Sequence, residues 1–142
     1  MSVFTISDLH LSLGTDKPME VFGWDNYVNR IESNWKRLVK NEDTVVIPGD
    51  FSWALKLEES LEDFKFLNSL PGKKLLLKGN HDLWWSTVKK VNEFLGENRC
   101  NQAIIFVENA LLEEATVKEY EQVKLLSVED DNKISALEKV LK

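Results

Sequence analysis

The sequence predicts an α/β fold, a mainly parallel sheet covered by helices, and three observations carry that prediction. Short runs rich in β-branched residues or leucine, in "SVFTISDLH", "DTVVIPGD" and "KLLLKGNHD", each end on Asp, Asn or His. Segments with apolar residues at helical spacing separate and follow them. The strand runs are near-continuously apolar, the pattern of strands with both faces covered, as in βαβ units.

Taken in order, the first run leads into "DNYVNRIESNWKRLVKN", where Val28, Ile31, Trp35, Leu38 and Val39 fall on one helical face and Asp25 is placed as cap. After the second run, "KLEESLEDFKFLNSLPG" repeats the pattern with Leu57, Leu61, Phe64 and Leu67, and Pro71 with Gly72 ends it. After the third, "DLWWSTVKKVNEFLG" sets Trp84, Val88, Val91 and Leu95 on a face that stops at Gly96, with Asp82 placed to cap it. Beyond Gly96 the character changes, because residues 97–142 hold ten acidic and six basic side chains. Strands are expected at "QAIIFV" and "VKLLSV", and a short helix from Asn132 with Ile134, Leu137 and Leu141 on one face. The stretch "LLEEATVKEYEQ" fits a hairpin or a helix equally. The expected organisation is one domain over 1–142, with a βαβαβα core over 1–96 and a divergent acidic part over 97–142.

A chain of 142 residues with 43% hydrophobic content builds one compact core. A net charge of -6 speaks against extended nucleic-acid binding and against anionic membrane surfaces. One cysteine, Cys100, permits no intrachain disulfide, and "MSVFTISDLH" carries neither a basic nor an apolar leader segment. These features lead to the expectation of a cytoplasmic protein.

Right-handed crossovers bring the carboxyl ends of successive parallel strands to one edge, where open α/β sheets bind ligands. Asp8, His10, Asp50, Asn80, His81 and Asp82 are therefore expected to converge. Buried charges are costly unless paired or metal-bound, and a divalent metal accounts for the cluster. Mixed oxygen and nitrogen donors suit Mn²⁺ first, with Fe or Zn²⁺ as alternatives, and Asp50 has two oxygens with which to bridge two ions. Either Asp8 or Asp50 alone would be read as a turn or helix cap, and only their convergence favours a ligand role. Lys78 is read as a solvated lysine. Trp35 and Trp84 are assigned to the core, Trp53 and Trp85 to the rim of a substrate pocket, and Gly49 and Gly79 to tight turns.

"DLH", "GD" and "GNHD", in that order at strand ends, resemble the calcineurin-like metallophosphoesterase superfamily. The resemblance runs from Ser2 to about Gly96, and "FGWDNY", "PGDFSWA" and "KGNHDLWWS" look like its small bacterial branch. It implies that Asp8 and His10 bind a first metal, that Asp50 bridges, and that Asn80 binds a second metal through its amide oxygen. His81 would act on substrate and Asp82 would orient its imidazole. The implied activity is hydrolysis of a phosphomonoester or phosphodiester by in-line attack of a metal-bound hydroxide, with a phosphorylated small molecule or nucleotide as substrate.

Family members add histidines from the second half of the chain, one isolated and two in a "GHxH"-type segment, whereas this sequence has two histidines in all. One ion would keep Asp8, His10 and Asp50, and a second only Asp50 and Asn80. Three readings follow. The chain is an enzyme whose one- or two-ion centre is completed by water, by a homo-oligomer or by a partner chain. Alternatively it is an inactive scaffold of the same fold, or a truncated or engineered fragment of such an enzyme.

Overall fold

The computed structural model describes residues 1–101 and 103–106, together with the backbone of Val123–Leu125. Strand β1 is Val3–Thr5, β2 Thr44–Ile47, β3 Lys73–Leu76, β4 Ile104–Phe106 and β5 Val123–Leu125. Helix α1 spans Tyr27–Leu38, α2 Leu61–Ser69 and α3 Val88–Glu97, with single 3-10 turns at Met19–Phe22 and Leu57–Ser60. Among these residues the sheet has the order β4-β3-β2-β1-β5, and every pairing is parallel. This is the α/β architecture the strand runs predict.

The topology follows from the connections. From β1 to β4 each strand is laid beside its predecessor through a helix, always moving the same way, so right-handed crossovers set α1, α2 and α3 on one face. β5 lies on the other side of β1, which makes β1 the strand where the order changes direction, the place where open α/β sheets form a ligand crevice.

Side chains alternate between the faces. Phe4, Val45, Ile47, Leu76, Ile104 and Phe106 pack beneath the helices against Trp35, Phe64, Leu67, Val91 and Leu95. Val3, Val46 and Leu77 form a separate cluster with Leu75. Fully burying side chains of this size stabilises the fold by about 1.5–3 kcal/mol each. Lys74 shares the helical face with Leu76 and is fully buried; its ammonium donates to the carbonyl of Leu70.

The helix starts differ from the sequence expectation. Asn26, not Asp25, occupies the N-cap of α1; its φ of 54° is left-handed and its side chain accepts from Asn29 Nδ2 at 2.6 Å. Leu38, the last residue of α1, is exposed, and Val39 is buried where the backbone leaves the helix in an extended conformation, with φ of -99° and ψ of 131°. Leu57 falls in the 3-10 turn rather than in α2. Helix α3 begins at Val88, capped by Thr87, whose hydroxyl oxygen accepts from Lys90 N at 3.1 Å. Trp84 and Asp82 thus precede α3, and Asp82 is not its cap. Gly96 lies inside the helix, which runs to Glu97. The expected strands at "QAIIFV" and "VKLLSV" contain β4 and β5. The expected helix from Asn132 and the "LLEEATVKEYEQ" stretch lie outside the described residues. Among the described residues no helix is long and apolar enough to cross a membrane.

Candidate metal centre

Beyond the carboxyl ends of β1 and β2 the two loops run side by side. Asp8 N donates to Gly49 O at 3.1 Å, His10 N to Asp50 O at 3.0 Å, and Leu11 and Ser52 form a parallel bridge. Within this pairing Asp8, His10 and Asp50 all adopt left-handed backbone, with φ of 58°, 44° and 51°. Non-glycine residues rarely sit there, and such strain gathers where side chains must be aimed at a common point. The third loop joins at Gly79. A Cβ on Gly79 would stand 2.2 Å from Asp50 Oδ1, and one on Gly49 would stand 2.6 Å from Gly79 Cα. Glycine at both positions lets the "GD" and "GNHD" turns touch.

The result is a compact donor set: one atom each from Asp8, His10 and Asp50 lie within 4.8 Å of one another. Exposure is graded across the site. The Asp50 side chain is 10% exposed and His10 13%, whereas Asp8 is 55% and His81 50% exposed, so the crevice is anchored on one side and open on the other. His10 Nε2 lies 3.7 Å from Asp8 Oδ1, while its buried Nδ1 has no hydrogen-bond partner among the described residues. The Trp53 ring stacks on the His10 imidazole at 4.6 Å with a 22° tilt, Trp24 flanks it at 6.0 Å, and the Tyr27 hydroxyl donates to His10 O at 2.8 Å. Position 10 is therefore held from both ring and backbone.

Asn80 and His81 meet on Asp50. In the orientation that satisfies the Asn80 amide, its nitrogen donates to Asp50 Oδ1 at 3.1 Å and Oδ2 at 3.2 Å. Rotated by half a turn, the same group presents its oxygen beside the carboxylate, an arrangement that repels unless a cation lies between them. His81 N donates to Asp50 Oδ1 at 2.9 Å, and its ring Nδ1 lies 2.9 Å from Oδ2. Burial works to raise the Asp50 carboxyl, but the bonds from His81 and the nearby His81 and His10 rings together hold it below the usual carboxylate range.

Asp82 sits elsewhere than the resemblance implies. Its Oδ1 accepts from Phe51 N at 2.9 Å, Ser52 N at 3.2 Å and Trp84 Nε1 at 3.1 Å, and its Oδ2 from Gly79 N at 2.8 Å. Burial pushes its carboxyl up against those donors. The imidazole of His81 is thus oriented by Asp50, and Asp82 ties the second loop to the third. Trp85 does not line the crevice, since it is buried against Trp84 and Phe106, whereas Trp53 does. Lys78 is exposed.

One further residue escaped the sequence reading. Asp63 on α2 is fully buried; its Oδ1 accepts from Leu13 N at 2.8 Å and its Oδ2 from Ser52 Oγ at 2.6 Å. Burial pushes its carboxyl up to about 6, against the bonds from Ser52 and Leu13. Its spacing of four from Leu67 placed it on the apolar side of the helix, which was the available signal.

The donor set suits a divalent ion: two carboxylates, an imidazole with an unpartnered buried nitrogen, and a carboxamide able to turn its oxygen inward. With two histidines in the sequence, the described residues offer three ligands to one ion and Asp50 with Asn80 to a second. No curated protein matches the chain. The crystal structure of the protein of unknown function AQ665 from Aquifex aeolicus is similar to it, with 24% identity and a TM-score of 0.48, over 75% of this chain and 50% of that one. The chain thus spans half the length of that structure. The family model for calcineurin-like phosphoesterases matches residues 1–136, well past the last of the strand-end motifs. This chain, with those motifs gathered at one sheet edge, belongs to the calcineurin-like phosphoesterase family.

Proposed function

We propose that the protein is a metal-dependent phosphoesterase that hydrolyses a phosphorylated small molecule or nucleotide in the cytoplasm, with Mn²⁺ as the first-choice ion. The observation that carries this reading is the meeting of Asp8, His10 and Asp50 donor atoms within 4.8 Å in a chain of this family. A divalent ion held there, with Asn80 beside it, would supply charge to the phosphoryl oxygens and an acidified water as nucleophile.

The chain's own groups do the rest. Asp50, buried and held as a carboxylate, and Asp8, half-exposed, provide the negative charge that selects a cation for the crevice. Trp53 and Trp24 cover one side of His10 with apolar surface, which excludes water and strengthens electrostatic interactions inside. His81 gives its Nδ1 to Asp50, and this leaves Nε2 as the nitrogen free to face a substrate. Its ring centroid is 6.0 Å from that of His10, so a phosphoester in the crevice lies within reach of both. A proton carried on His81 Nε2 passes to the departing oxygen as the phosphorus–oxygen bond breaks.

The test is hydrolysis of an activated aryl phosphate monoester and diester with Mn²⁺, with and without chelator, by wild type and Asp50→Ala. Turnover that requires Mn²⁺ and disappears in Asp50→Ala supports the reading. Turnover untouched by chelator refutes it, and Mn²⁺ binding without turnover identifies a scaffold rather than an enzyme.

A further inference from the structure

The three loops that carry the candidate ligands are joined from behind by a continuous chain of hydrogen bonds. It begins at Leu13 N in the loop after β1, which donates to Asp63 Oδ1 at 2.8 Å. Asp63 Oδ2 accepts from Ser52 Oγ in the loop after β2 at 2.6 Å, and Ser52 N donates to Asp82 in the loop after β3 at 3.2 Å. Ser52 Oγ also accepts from Ala54 N at 3.1 Å, which uses one of its two acceptor positions. Asp63, Ser52 and Asp82 are all fully buried. Leu13 lies three residues beyond His10 and Ser52 two beyond Asp50, so a displacement at either anchor is passed to a ligand within two or three peptide units.

We infer that Asp63 is a positioning residue of the metal centre, a carboxylate on α2 that sets the spacing of the Asp8–His10 and Asp50 loops through Leu13 and Ser52. The inference rests on the metal-centre reading above and adds to it a residue that touches neither ion nor substrate. Apolar packing does not explain the arrangement. A buried carboxylate is costly, and among the described residues this one meets only donors that belong to the site loops. A hydrophobic residue at position 63 would fill the space and leave Leu13 N and Ser52 Oγ without their partner. Partners behind a metal site typically shift metal affinity or activity when they are removed, because they fix the angles at which the ligands point.

The experiment uses the full chain and two readouts, Mn²⁺ binding by calorimetry and backbone amide exchange in the metal-free state. Asp63→Ala should weaken Mn²⁺ binding by about 10- to 100-fold while leaving a cooperative thermal transition. It should speed exchange at Leu13 and Ser52 without altering β2. Asp63→Asn should recover most of the affinity, because a carboxamide accepts from Leu13 N through its oxygen and donates to Ser52 Oγ through its nitrogen. A folded Asp63→Ala that binds Mn²⁺ as wild type does overturns the inference. If that variant does not fold, Ser52→Ala decides: weakened Mn²⁺ binding supports the positioning role, and wild-type affinity overturns it. If the wild-type protein takes up no Mn²⁺, the metal-centre reading fails, and unchanged exchange at Leu13 and Ser52 in the variants overturns the clamp separately.

Discussion

His81 occupies both carboxylate oxygens of Asp50, its backbone N–H on Oδ1 and its ring Nδ1 on Oδ2, each at 2.9 Å. A single residue therefore links the carboxylate best placed to hold a cation with the imidazole best placed to meet a leaving group. The two are neighbours only because Gly79 lets the third loop lie directly on Asp50. Binding at Asp50 and the aim of His81 are coupled by this geometry, and the coupling is open to measurement.

His81→Ala should lower turnover of an alkyl phosphoester by roughly 10²- to 10⁴-fold, the usual share of general acid catalysis. For an aryl ester with an acidic leaving group the loss should be much smaller, because such an oxygen departs without a proton. Mn²⁺ binding should survive the substitution. Equal losses for both esters would assign His81 to packing or ligation instead.

Mn²⁺ should bind with a stoichiometry closer to one than to two per chain, because the described residues place three ligands around one point and no comparable set around a second. Asp50→Ala should abolish binding, and Asp8→Ala should weaken it. Calorimetry with elemental analysis reads both. Two tight ions per chain would mean that donors outside the described residues complete the site, with Glu108, Glu113 and Glu114 the first to substitute.

Gly79→Ala should separate loss of site geometry from loss of ligands. The new methyl would stand 2.2 Å from Asp50 N and Oδ1, where nothing flexible can yield, so the third loop must move away and take His81 and Asn80 with it. Over-packing of this kind costs about 1–3 kcal/mol. Chemical denaturation should show that loss together with weakened Mn²⁺ binding. Unchanged stability and binding would show that the two loops do not touch as described.

The parallel sheet and the meeting of Asp8, His10, Asp50 and Asn80 were legible because both depend on local signals: apolar runs that stop on polar groups, and crossovers of one hand. Asp82 was misplaced because its partners, the amides of Phe51 and Ser52, lie 31 and 30 positions away and are set by how the loops pack, not by sequence spacing. Trp84 mimicked a helical residue by its spacing of four from Val88, yet Thr87 is extended, with ψ of 153°, and its hydroxyl starts the helix afterwards. The Trp53 stack on His10 had only half a signal, since adjacency to "PGD" puts the ring near the site without saying which ligand it covers. Asp63 was passed over because it stands beside a second acidic residue, Glu62, in the first turn of α2. Its role appears only once Leu13, fifty positions earlier, folds back onto it.

Lys74 carries the last prediction, which concerns stability alone. Its side chain is fully buried on the helical face of β3, and the partner described for its ammonium is the Leu70 carbonyl. Burial lowers its pKa from 10.5 to about 8. The folded state therefore binds fewer protons than the unfolded state between pH 8 and 10.5, and the linkage relation makes stability rise with pH across that window. Below pH 8 both states are protonated and the cost of the buried charge is present in full, on the order of 3 kcal/mol from the size of the shift. Tyr27 and Cys100, both pushed up by burial, oppose this trend at alkaline pH, so the readout is the difference between wild type and Lys74→Met. In urea unfolding Lys74→Met should be the more stable protein near neutrality, and its advantage should shrink as pH approaches 10. An advantage that stays constant with pH would mean that Lys74 keeps its ordinary pKa in the folded chain, with its ammonium solvated rather than buried.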